Sequence, residues 1–218
     1  MKYVIFGITG LALFFVFVFA SSYYKGQQAE KFGFMAKENS STFVRDHSQT
    51  LGSDDAKVYL VEFMDPACET CAAFSPFIKQ MLAANPGKIK LILRYAPFHD
   101  GADYFVKILE AAKKQGKYWD TLDVMYKSQQ AWASHHNPQP DKIWQFLPKA
   151  GLNIEQLRKD IEDPALTALI EQDLADAKTL NVRKTPGFFV NGKPLQKFGY
   201  QQLQQLVNSE LDANYPNK

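Results

Sequence analysis

Cys68-Glu69-Thr70-Cys71 holds the only two cysteines in a chain of 218 residues, and its flanks leave few folds open. Upstream, Val58-Tyr59-Leu60-Val61-Glu62-Phe63-Met64 is a short run of apolar, β-branched and aromatic residues that predicts a buried strand. Downstream, residues 72–82 repeat their apolar side chains at helical spacing. Asp65-Pro66-Ala67 separates the two, because a pyrrolidine ring biases the residue before it away from helix. A buried strand must therefore pass into a helix within a few residues, with both cysteines at the helix start.

That position has chemical consequences. The first N–H groups of a helix lack intrahelical partners, and the macrodipole presents its positive end there, so an anion is stabilised. Cys68 is expected to ionise more readily than a free cysteine. Cys71 falls one turn deeper on the same face and can reach back to it. Two thiols so placed can close as a reversible disulfide, which points to thiol–disulfide exchange; two inert buried thiols are the plainer alternative. A zinc site takes about four ligands, and His47, His99, His135 and His136 have no spacing that completes one. No metal site is expected, and His135-His136 reads as part of a solvated loop.

The hydrophobic share of 46% and charged share of 22% suit a globular domain with a sizeable core. A net charge of +2 with interspersed acids and bases provides no extended basic field, so nucleic-acid binding is not expected. Residues 3–24 lack any charged side chain and are dominated by Phe, Val, Leu, Ile and Ala. This stretch is long enough to cross a bilayer and exceeds the apolar core of an ordinary signal peptide, about 7–15 residues. A retained membrane anchor is the favoured reading, with a signal peptide cleaved after Val18-Phe19-Ala20 as its rival. Either would place the remainder outside the cytoplasm, where disulfides persist.

Residues 25–50 are polar and read as a spacer, and residues 51–215 read as one α/β domain. Within it, Lys88–Tyr95 predicts a second strand. Helices are expected over 102–115, 118–129, 141–150, 154–161 and 165–180, forming an inserted helical block at about 100–180. Gly187–Val190 predicts a further strand, Asn191-Gly192 a hairpin turn, residues 194–198 the returning strand, and 200–211 a last helix. Strand–helix–strand, helical insertion, hairpin and helix make a thioredoxin-like layout.

With these residues in place, the chain resembles the DsbA-like branch of the thioredoxin superfamily, thiol–disulfide oxidoreductases of the bacterial cell envelope. The likeness runs over roughly residues 50–213. It rests on the lead-in Gly52–Val58, the strand ending Glu62-Phe63-Met64, the Cys68–Cys71 motif, the helical block, and Thr185-Pro186 placed before a strand. The resemblance implies that Cys68 is an exposed nucleophile and Cys71 the resolving thiol. It also implies that Thr185 and cis-Pro186 face the pair and engage an extended substrate segment; a plain strand-entry proline is the alternative.

Glu62, inside an apolar strand six residues before Cys68, is a candidate proton carrier for the resolving cysteine, with desolvation raising its pKa. A sheet-edge glutamate reaching solvent is the competing reading, and Lys90 on the next strand is a candidate partner. Tyr95, Phe98, Phe188 and the aromatics of the helical block are candidates for a substrate groove, with core packing the favoured reading for most of them. The dipeptide between the cysteines departs from the Pro-His of strongly oxidising members. Glu69 is expected to oppose the Cys68 thiolate and make the disulfide less oxidising, with Thr70 returning part of that through its hydroxyl.

The expected activity is disulfide exchange with cysteines of exported proteins, without a bound cofactor, reset by a membrane or envelope redox partner. Dithiol oxidation is favoured over isomerisation or reduction. A non-catalytic partner-binding module and a handler of thiophilic metals are the readings from other classes.

Overall fold

The computed structural model describes residues 15–17, 19–20, 40–134 and 137–216. The predicted anchor or signal segment falls largely outside these residues, as do 25–39 of the spacer and the His135-His136 pair. Among the described residues no helix is long and apolar enough to cross a membrane.

A helical turn, α1 (Ser40–Phe43), and a short strand, β1 (Gln49–Gly52), precede a strand–helix–strand unit made of β2 (Val58–Met64), α2 (Glu69–Ala84) and β3 (Ile89–Tyr95). The helical insertion comprises α3 (Ala102–Lys114), α4 (Tyr118–Trp132), α5 (Pro140–Ile143), a 3-10 turn (Leu147–Ala150), α6 (Ile154–Asp160) and α7 (Pro164–Thr179). The hairpin β4 (Gly187–Val190) and β5 (Lys193–Pro194) follows, and then α8 (Tyr200–Asn214). The sheet runs β1-β3-β2-β4-β5, with β2 parallel to β3 and the remaining pairs antiparallel.

Side chains alternate across a strand, so β2 sends Leu60, Glu62 and Met64 to one face and Val61 and Phe63 to the other. Leu60 and Met64 join a core with Phe74 and Ile78 of α2, Phe105 of α3, Leu122 of α4 and Leu203 of α8. Val61 and Phe63 pack with Phe43, Ile92, Ala177, Leu180 and Phe189 on the opposite face. Both faces being covered, β2 reads as a continuous apolar run rather than an alternating one.

Four expectations change. The helix foreseen over 141–150 is broken after Ile143, because Pro148 has no N–H and its ring would meet the carbonyl of Trp144 one turn back. The returning strand is only Lys193–Pro194; Pro194 cannot donate to a ladder and belongs at a sheet edge. Residues 49–52, read as spacer and lead-in, pair with β3 from Gln49↔Leu93 to Gly52↔Lys90. Gly52 is needed there: its φ is +111°, and a Cβ would come within 2.4 Å of the Ile89 carbonyl oxygen.

The end of the supposed spacer is likewise part of the domain, which starts ahead of residue 51. Thr42 and Phe43 are buried. Arg45 binds Asp176 through Nε and Nη2 at 2.8 and 2.7 Å. Beneath it the fully buried Arg94 binds Asp173, Asp176 and the Thr42 carbonyl, while Asp173 also accepts from the Tyr95 N–H and meets His47 Nε2 at 2.6 Å. Burial pushes both aspartates up, but hydrogen bonds from His47, Arg45 and Arg94 outweigh it and hold them below the usual carboxylate range. Arg94→Met removes the buried cation that the two aspartates share, leaving Asp176 only Arg45 and Asp173 only His47, and is expected to cost about 3–5 kcal/mol in denaturant unfolding at neutral pH. A loss within experimental error would show the cluster contributes no stability.

Candidate active site

The turn between β2 and α2 is built by Asp65. Its Oδ1 accepts from the Ala67 N–H at 2.8 Å, closing an Asx turn, and its Oδ2 accepts from the N–H groups of Phe98 and His99 and lies 2.7 Å from His99 Nδ1. Gln129 on α4 donates to the Pro66 carbonyl at 2.9 Å. The loop is thereby held from both sides, and Cys68 emerges as the N-cap of α2, its Sγ accepting from the Cys71 N–H at 3.4 Å. The part that Asp65, His99 and Gln129 play in holding this loop is not foreseen from the sequence. An Asp directly before Pro at a strand end was the available signal for the first; the others are tertiary.

Both cysteines are free, and they are inequivalent. The Cys71 side chain hydrogen-bonds Cys68, and this, with Thr185 and the backbone N–H groups of Cys71 and Thr70, outweighs desolvation and lowers the Cys68 pKa to about 6. Cys71, with no exposed surface, is pushed well above its ordinary value, chiefly by burial and then by the Cys68 hydrogen bond and the Glu62 charge. One thiol is thus poised as a thiolate and its neighbour is held protonated.

Two expectations need correction here. Cys68 keeps only 5% of its surface exposed, so an incoming sulfur meets it at the rim of a nearly closed site. Glu69 and Thr70 are both exposed. The Glu69 carboxylate is not among the principal influences on Cys68, because charge on a solvated side chain is screened while the backbone N–H groups act at contact distance.

Glu62 lies on the face of β2 covered by α2, between Leu93 of β3 and Phe188 of β4. It is 4% exposed, which rules out the solvent-reaching alternative. Lys90 is not its partner: three positions away along the register, Lys90 binds Asp54 at 2.6 Å. Among the described residues nothing hydrogen-bonds the Glu62 carboxylate, and desolvation followed by the Cys68 charge raises its pKa to about 8. It borders a cavity of about 10 Å³, close to the minimum for one water. Ser75, Lys79 and Tyr126 line both this cavity and an outer pocket of about 340 Å³, forming the partition between Glu62 and solvent. Tyr126 is held neutral by burial and by the nearby Cys71 and Glu62 charges.

Thr185-Pro186, directly ahead of β4 and next to the end of β2, closes the site. The peptide bond is cis, and the Thr185 carbonyl oxygen lies 3.4 Å from Cys68 Sγ. Beside Pro186 opens a groove of about 550 Å³, lined by neither cysteine, that runs from Pro186, Phe188, Leu195 and Phe198 to Phe43, Leu180 and Phe189 of the opposite sheet face. Phe74, one turn beyond Cys71, stacks on Tyr200 at 4.1 Å and packs against Phe198 at 5.0 Å, tying α2 to the hairpin exit and α8. Of the aromatics considered for a groove, Phe188 lines it, Tyr95 is core, and Phe98 is 43% exposed outside it. Among the described residues no three His, Cys, Asp or Glu side chains cluster as a metal site.

Known proteins resemble this chain in sequence and fold. A family model described as Thioredoxin matches residues 45–209. A probable disulfide bond formation protein D of Bacillus anthracis is 29% identical over 182 residues, covering 78% of this chain and 81% of that protein. An Na(+)/H(+) antiporter NhaA of Herminiimonas arsenicoxydans is 30% identical over 145 residues, but the chain spans only 22% of the antiporter's length. The crystal structure of a thioredoxin-like oxidoreductase from Silicibacter pomeroyi DSS-3 superposes with a TM-score of 0.68 at 28% identity, covering 78% of this chain and 95% of that one.

Proposed function

This chain belongs to the thioredoxin family, in its DsbA-like branch, and from that premise we propose that it is an extracytoplasmic thiol–disulfide oxidoreductase acting on cysteines of exported proteins. The observation that carries the reading is the unequal pair: Cys68 lowered to about 6 beside Cys71 raised well above its ordinary value, with their N-cap contact at 3.4 Å.

In the oxidising direction a substrate thiolate attacks Cys68 Sγ of the Cys68–Cys71 disulfide. The intramolecular S–S bond breaks, Cys71 leaves as a thiolate and takes a proton from the Glu62 carboxyl, and substrate and Cys68 are joined. A second substrate thiolate then attacks the substrate sulfur of that mixed disulfide and expels the Cys68 thiolate. The substrate has lost two electrons and the enzyme pair has gained them. Extended pairing at the Thr185 backbone positions the substrate during the first step.

Oxidation is favoured over reduction because a stabilised thiolate stabilises the reduced enzyme. A pKa of about 6 rather than 9 is worth about 1.4 kcal/mol at pH 7, or roughly 30 mV toward oxidant. The far-ultraviolet thiolate absorbance of the reduced protein is expected to titrate with a midpoint near 6, and the disulfide form is expected to oxidise a reduced unfolded protein. Rapid insulin reduction without any oxidation of that substrate would turn the assignment to reductase.

The apolar stretch at 3–24 supports anchoring or export of the domain, with an envelope redox partner resetting Cys68 and Cys71. Cation transport is not carried over from the antiporter, since the likeness covers 22% of it.

A further inference from the structure

Disulfide exchange needs a cleft beside Cys68 but places no demand on the charge of its rim. The groove here is apolar inside, with Pro186, Phe188 and Leu195 in its lining, and no aspartate or glutamate lines it. Its rim is cationic. Arg183 and Lys184 line it immediately before Thr185, and Lys197 stands between the lining residues Gln196 and Phe198; all three are exposed. Among the described residues none of the three meets a carboxylate, and Arg183 Nε donates to the neutral Asn181 Oδ1 at 2.8 Å. On the same hairpin Lys193, by contrast, is neutralised by Glu210 at 2.6 Å.

Position turns this pattern into selectivity. The Thr185 carbonyl lies 3.4 Å from Cys68 Sγ, so a segment whose sulfur reaches Cys68 runs past Thr185-Pro186. At a rise of about 3.3 Å per residue, side chains within a few positions of its cysteine lie alongside Arg183, Lys184 and Lys197. We infer that the groove selects extended segments of exported proteins that carry apolar and acidic residues beside the reactive cysteine, the apolar ones entering the groove and the acidic ones supplying the charge its rim lacks. Exposed Glu69, next to Cys68, disfavours an acid at the cysteine itself, so discrimination falls on positions farther along the groove. This inference rests on the exchange activity proposed above.

Dithiol peptides of one length, with Asp/Glu, Gln/Asn or Lys/Arg flanking the cysteines, are oxidised by the disulfide form of the full chain. Each second-order rate is divided by that of the same peptide with a neutral small-molecule disulfide, which removes the effect of flanking charge on the peptide thiols. Three exposed ion pairs are each worth a few-fold, so the acidic series is expected to exceed the basic series by about tenfold at low salt, and the ratio is expected to shrink toward one as salt screens it. In the triple variant Arg183→Glu, Lys184→Glu and Lys197→Glu the order of the acidic and basic series reverses.

Equal rates for the acidic and basic series, or an unchanged order in the triple variant, overturn the inference and leave the exchange activity standing. Failure to oxidise even the neutral peptide overturns the exchange activity, and the inference with it. Inhibition of neutral-peptide oxidation by phosphatidylglycerol vesicles that the triple variant escapes, with no peptide preference in either protein, would assign the rim to a membrane surface instead.

Discussion

Cys71→Ser is expected to turn the protein into a trap. Reduced variant attacks a disulfide through Cys68, which stays reactive because its backbone donors at Cys71 and Thr70 and its contact with Thr185 are unaltered by the side-chain change. The mixed disulfide then persists, because the thiol that would displace it, held 0% exposed beneath Cys68, is gone. Non-reducing electrophoresis or intact mass should show one adduct per chain. Cys68→Ser removes the only sulfur that reaches the rim, and turnover should fall on the order of 10³-fold or more. Adducts on Cys71 in the Cys68→Ser protein, or full turnover in Cys71→Ser, would reverse or cancel the assigned roles. Part of the Cys68 pKa shift comes from a hydrogen bond donated by the Cys71 side chain, so in Cys71→Ala, which has no donor there, the thiolate should titrate above the wild-type midpoint.

Glu62→Gln is expected to produce the largest change in how stability depends on pH. The folded, reduced protein holds the Glu62 carboxyl at about 8 against 4.5 for the free group. Below pH 4.5 the group is protonated whether the chain is folded or not and has no effect. Between 4.5 and 8 the unfolded chain releases the proton while the folded chain keeps it, so stability falls by about 1.4 kcal/mol per pH unit; above 8 the loss levels off at on the order of several kcal/mol.

The glutamine variant lacks this slope, so the difference in unfolding free energy between variant and wild type should grow across that window in the variant's favour. Cys68 acts in the opposite sense, adding stability as pH rises from about 6 toward 9, which is why the difference between the two proteins must be read. A flat difference between pH 4.5 and 8 would show that Glu62 is not ionised at the cost assigned to it. Function should move the other way, with release of Cys71 slowed by about 10²-fold once its proton donor is gone.

Much of the fold was legible locally. Val58–Met64, Ile89–Tyr95 and Gly187–Val190 were readable because both sheet faces are covered and the strands are mostly apolar, Glu62, Lys90 and Arg94 excepted. The long helices α3, α4, α7 and α8 were readable from apolar spacing. β1 was not, because Gln49-Thr50-Leu51-Gly52 is at most half-buried, with Thr50 exposed, and owes its strand to pairing with β3. Nor was the Arg94–Asp173–Asp176 cluster, whose members come from β3 and α7 and would look like ordinary surface charges in a one-dimensional reading. Lys90 illustrates the converse: adjacency of strands made it a plausible partner for Glu62, and register gave it to Asp54.

For the site itself, the sequence alone determined which atoms can react. Two cysteines three apart at a strand-to-helix turn, a carboxylate in the strand and a Thr-Pro before the next strand are local facts, set by residue type, periodicity and the backbone limits of proline. Only the tertiary structure decided how the pair is tuned. Glu69, judged by its neighbour in the chain, should have raised the Cys68 pKa; the fold points it to water and surrounds the sulfur with Cys71, Thr185 and backbone donors, so the shift runs downward. Burial does the reverse to Cys71 and Glu62. Electrostatic energy depends on distance through space and on exclusion of water, and neither quantity exists until the chain is folded.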